Sequence, residues 1–178
     1  YEPCTELWEA ELRINDNESV HANAYSEIVR MGFPVPKEVL RKMLSHNEAH
    51  RRLNVVGREL KELKRKSIVL AYKKEFENYT PTDEEVCEDM MLFYFIMYCL
   101  ERVQFMDSFG TTFIIAQSGW YQAIGQSVKK ICQDEYEVHS ELRKEVILTQ
   151  MNTEIGKRVV DKLKPKMVQI LEEVVDSE

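Results

Sequence analysis

An all-α fold follows from three features of the sequence. Glycine and proline are scarce, six and five in 178 residues, so few positions punctuate regular structure. Between them, apolar residues recur at three- and four-residue spacing, the period of a helix with one face turned inward. Thr82-Asp83-Glu84-Glu85 is a capping box, with acidic residues suited to the positive end of a helix. A hydrophobic share of 44% suffices for a continuous core, and a single helical domain spanning residues 1–178 is expected.

The elements follow in chain order. A first helix runs from near Thr5 to Met31, stopped by Gly32 and the Pro34-Val35-Pro36 turn. Lys37 to Ser45 makes a short helix. Glu48 to Phe76 makes a long, charged one, with Leu53, Val56, Leu60, Leu63 and Ser67 facing inward and the run Lys61 to Lys66 solvated. From the Thr82 cap, a helix carries Phe93, Phe95, Met97, Leu100 and Phe105 toward Gly110, where Gly110-Thr111-Thr112 offers a bend. It is apolar nearly all round, which places it centrally. Further helices are expected over Phe113 to Ser118, over Trp120 to Met151, and from Thr153 or Gly156 onward. Trp8 and Trp120 are assigned to the core or to an interface.

A net charge of −7 argues against a nucleic-acid surface, which needs clustered Lys and Arg. The apolar stretch Met90 to Leu100 is too short to cross a bilayer, so no membrane is expected. Cys4, Cys87, Cys99 and Cys132 are widely spaced with no C-x-x-C pair, which suits free thiols in a reducing cytoplasm.

Three segments carry chemistry. Glu18-Ser-Val-His21 puts a carboxylate and an imidazole on one helix face, with Tyr25 four residues on. Glu101 is a carboxylate within the most apolar stretch, where an unpaired charge costs several kcal/mol or more, so it needs a strong partner. Glu135 and His139 again share a face. Carboxylates and imidazoles so arranged ligate iron or manganese, and the pattern is that of a ferritin-like helical bundle with a dimetal carboxylate site. Taken singly, each segment has a plainer reading: a surface pair at Glu18 and His21, a core tyrosine at Tyr25, a helix-face carboxylate at Asp134. His46 and His50, four apart in polar surroundings with only Glu48 nearby, read as a solvated pair.

Glu18-Ser-Val-His21-Ala-Asn-Ala-Tyr25 resembles the E-[ST]-[IV]-H-x-x-x-Y stretch of class I ribonucleotide reductase small subunits. Leu100-Glu101-Arg-Val-Gln-Phe105-Met-Asp-Ser108-Phe109 and Ile131-Cys-Gln-Asp134-Glu135 resemble the second and third ligand segments of that family, and the similarity spreads from about Pro3 to the end. The resemblance implies two iron ions, or manganese or a mixed pair, held by Glu18, His21, Glu101, Glu135 and His139. It implies a tyrosyl radical on Tyr25, passed to a large catalytic subunit for reduction of ribonucleotides, and a homodimer. Phe105, Phe109 and Ile131 would then wall in Tyr25, and Asp134 would orient a metal-bound histidine. The family's first carboxylate comes from a helix upstream of this chain, and its C-terminal docking tail is absent too. The family spaces the last Glu and His by three rather than four; a π-bulge can absorb the extra residue. A ferritin-like iron-storage bundle and a non-catalytic helical module are the rival readings.

Overall fold

The computed structural model describes residues 4–178, apart from the side chains of residues 48 and 49. Pro3, where the resemblance begins, and the Glu48 carboxylate beside His46 and His50 therefore lie outside the described residues. All regular structure among them is helical: α1 (Thr5–Gly32), α2 (Pro36–Ser45), α3 (Asn47–Phe76), α4 (Asp83–Cys99), α5 (Phe105–Gln117), α6 (Gln122–Gln133), α7 (Ser140–Met151) and α8 (Glu154–Ser177). Two π-turns, Leu100–Gln104 and Asp134–His139, join α4 to α5 and α6 to α7 without breaking either rod.

The α4 start forms as its sequence dictates. Thr82 Oγ1 accepts from the Glu85 backbone N–H at 3.2 Å, and Glu85 Oε2 accepts from the Thr82 N–H at 2.9 Å. From there α4 runs through the middle, packed against α3, α7 and α8. Met91 and Ile96 of α4, Val159, Ile170 and Val174 of α8 and Val56 of α3 are nearly sealed from solvent and form the main core. Each such side chain stabilises the fold by about 1.5–3 kcal/mol. At the α7–α8 corner, Thr153 caps α8 by accepting from the Gly156 N–H at 2.9 Å. Any Cβ at Gly156 would collide with the Gln150 carbonyl.

Several expectations are corrected. Leu53 is 62% exposed and Ser67 is exposed; the buried face of α3 uses Val55 and Val56, with Leu60 and Leu63 half-covered, because the positions of α4 and α8 set its phase. Gly110 does not end its helix: α5 runs unbroken through it to Gln117. The break comes later, where Gly119 (φ 89°) and Tyr121 (φ 53°) are left-handed, so α6 starts two residues after Trp120. Trp8 and Trp120 are 60% and 68% exposed, outside the core of this chain. His46 and His50 are exposed. Among the described residues, no helix is long and apolar enough to cross a membrane.

Candidate metal centre

Both π-turns carry buried carboxylates. The first holds Glu101, and its wide register is closed by the Phe105 N–H donating to the Leu100 carbonyl. The second holds Glu135 and His139, closed by the Ser140 N–H donating to the Glu135 carbonyl. It accommodates one residue more than the α register would, and π-turns of this kind recur at functional sites. Arg102 ties the two turns together. Its Nη1 donates to the Tyr136 carbonyl at 2.9 Å, and its guanidinium lies 3.4 Å from the centre of the Tyr136 ring. Ser140 Oγ donates to the same carbonyl at 2.9 Å, so a backbone acceptor displaced from the α register is satisfied by side chains.

The residues singled out in the sequence converge from α1 and the two π-turns. Oxygen and nitrogen atoms of Glu18, Glu135 and His139 lie within 4.8 Å of one another. His139 Nδ1 is 3.0 Å from Glu135 Oε2 and 3.3 Å from Glu18 Oε1. His21 Nδ1 lies 3.2 Å from Glu135 Oε1 and 3.6 Å from Glu18 Oε2. Each imidazole thus turns the same nitrogen toward the same two carboxylates. On the far side of its ring, His21 Nε2 is 3.1 Å from Asp134 Oδ2, which fixes the ring and leaves Nδ1 facing inward. The Asn17 amide sits 3.4 Å from His139 Nε2.

The electrostatics suit a cation. Burial opposes charge on His139, but hydrogen bonds to Glu135 and Glu18 outweigh it and push its pKa up to about 9. Glu18 is correspondingly held below the usual carboxylate range by its hydrogen bond to His139. Glu101, 1% exposed, is pushed up to about 7 by burial, against the pull of Arg143 and with a further push from Glu135.

The partner that Glu101 needs is Arg143, which sequence reasoning missed. Arg143 is 2% exposed, and its Nε donates to Glu101 Oε1 at 3.3 Å. Its Nη1 donates to Glu11 Oε1, which also accepts from the Tyr94 hydroxyl at 3.0 Å. A signal was present: Arg143 stands one turn beyond His139 and two beyond Glu135, on the ligand face.

Tyr25 is placed differently from expectation. It is 41% exposed and not enclosed. Phe109 and Ile131 are buried with Phe105 packed beside them, but from α1 this cluster receives Ala24 and Ile28. The reason lies in α1, whose closest helix packing among the described residues is with α2 and α6, and much of whose surface stays exposed. Partial burial, with the charges of Glu135 and Glu18 and the nearby Cys132, still pushes the Tyr25 hydroxyl up to about 12. The phenol is neutral at physiological pH.

The donor set fits divalent iron or manganese: two imidazole nitrogens and three carboxylates. Two of its buried atoms, His21 Nδ1 and Glu101 Oε2, make no hydrogen bond, which leaves them available to an ion. Comparison with protein-family models, with curated proteins and with solved structures finds no match to this chain.

Proposed function

We propose that the chain is the metal-binding core of a class I ribonucleotide reductase small subunit, built as a ferritin-like bundle. The observation that supports this reading is the convergence of Glu18, His21, Glu135 and His139 from two helices, with Glu101 alongside, at the positions of the resembling motifs. Glu18, His21, Glu101, Glu135 and His139 would hold iron or manganese, with a further carboxylate from an upstream helix. A metal pair bound there would supply dioxygen activation and the oxidising power to remove one electron from Tyr25, with an external one-electron reductant completing the reduction of dioxygen to water. Asp134 keeps His21 in the tautomer and ring orientation a ligand needs. Phe105, Phe109 and Ile131 exclude water from the side of α1 on which they pack and offer nothing oxidisable. Tyr25 has to lose its hydroxyl proton on oxidation; beforehand, burial and the negative charges of Glu135 and Glu18 keep that proton on the neutral phenol. The radical would pass to a large catalytic subunit, where ribonucleotides are reduced; a homodimer and a cytoplasmic setting belong to the same reading.

Tyr25→Phe decides the role of the tyrosine. After anaerobic iron loading and exposure to oxygen, the variant should bind metal as the parent does and give no tyrosyl signal in electron paramagnetic resonance. A parent protein that binds iron without any such signal would remove the radical role. One observation favours a second reading: with Tyr25 41% exposed, a radical there has little shelter. An iron-binding bundle without radical chemistry needs the carboxylates and histidines only, and iron uptake far beyond two ions per chain would select it.

A further inference from the structure

Arg143 is not one of the candidate ligands, yet it is buried and paired with one of them, Glu101. Its guanidinium cannot lose its proton, so a fixed positive charge stands on Glu101. Glu101 is near enough to Glu135 and His139 to feel both charges, yet the atoms that already cluster around a possible ion belong to Glu18, Glu135 and His139. One oxygen of Glu101 is committed to Arg143 and the other, buried, has no hydrogen-bond partner. Arg143 is also held independently of Glu101. Glu11 accepts from its Nη1, and its guanidinium carbon lies 5.6 Å from the centre of the Tyr94 ring. Losing Glu101 would therefore not leave the guanidinium unpaired.

Building on the metal-centre reading, we infer that Arg143 is a resident counter-cation for Glu101 that makes metal loading sequential. The first divalent ion goes to Glu18, His21, Glu135 and His139. A second is bound only when Glu101 exchanges the guanidinium for the ion, while Arg143 stays on Glu11 and Tyr94. The Glu101–Arg143 ion pair is the protein contact broken in this exchange, and any proton carried by Glu101 is released to solvent as the ion binds. Arg143 is a positioning residue in this scheme, acting through Glu101.

The test is Mn2+ titration of the full chain, read by the free Mn2+ signal and by the spectrum of the bound ion. Two steps separated at least about tenfold are expected, with an isolated-ion spectrum at half loading and a coupled-pair spectrum near saturation. Glu101→Gln should lose the weak step and keep the tight one. Arg143→Met should bring the two steps together. Should that variant fail to fold, as shown by lost helical circular dichroism, Glu11→Gln takes its place: with one anchor removed, the guanidinium leans harder on Glu101 and the second step weakens further. Two equal steps in the parent, or a second step unmoved in the folded variant, overturn the role of Arg143 and leave the metal centre standing. Absence of any Mn2+ binding overturns the metal centre itself.

Discussion

The two sides of α4 are built on opposite principles. Toward α3 and α8 it buries Met91, Ile96 and their neighbours in an apolar core that needs nothing but fit. Toward the π-turns and α7 the molecule buries Glu101, Glu135, His139 and Arg143, each at most 2% exposed. The first arrangement stabilises the fold. The second costs desolvation that ion pairing repays only in part, so stability alone gives no reason to keep it. The contrast singles out the polar side as the candidate site.

The comparison can be tested by attacking each side in turn. Met91→Ala on the apolar side should lower stability by about 2–5 kcal/mol, read as a lower urea midpoint, with metal stoichiometry of the folded fraction unchanged. On the polar side the sign reverses: replacing the pair together, Glu101→Leu with Arg143→Met, should stabilise the metal-free protein by about 1–4 kcal/mol while removing a ligand. A double variant less stable than the parent would mean that this pair holds the fold after all. Away from both sides, Thr82→Ala should cost about 1 kcal/mol through loss of the α4 cap, with no change in metal binding.

The smallest effect is one of pH, at the same cap. Hydrogen bonds from the Tyr79 hydroxyl and then from Thr82 hold Glu85 down to about 2, below its ordinary 4.5. A depressed carboxylate contributes stability that is present above pH 4.5 and is lost as pH falls toward 2. Glu85→Gln should therefore lower the urea midpoint at neutral pH, and the gap from the parent should narrow as the pH is lowered toward 2.

How far this was legible in the sequence differs from residue to residue. The helices were legible because their punctuation is local: Gly32, Pro34, the Thr82 cap and the Thr153 cap each act on their own neighbours. The phase of α3 was not, because Val55 and Leu53 are equally apolar and only the placement of α4 and α8 chooses between them. At the site, Glu18 with His21 and Glu135 with His139 could be paired by helical arithmetic. That Glu18 meets His139, or that His21 meets Asp134, is a property of packing. Arg143 sat in the readable register but was passed over, although a buried Glu101 demanded a cation. The open face at Tyr25 depends on what α1 packs against, which no local pattern records.

The π-turn at Asp134–His139 can also be regarded as a dislocation in an otherwise regular lattice. A dislocation can glide: if the wide turn moved one residue along the rod, Glu135 and His139 would be re-aimed without unfolding either helix. Arg102 and Ser140, both donating to the Tyr136 carbonyl, act as its pinning points. Arg102→Ala should free it, and faster amide hydrogen exchange across residues 134–140, with the rest of α6 and α7 unchanged, is the sign to look for. On this view the aim of the ligands is set by how firmly a defect is pinned, and the rigidity of the surrounding bundle matters less.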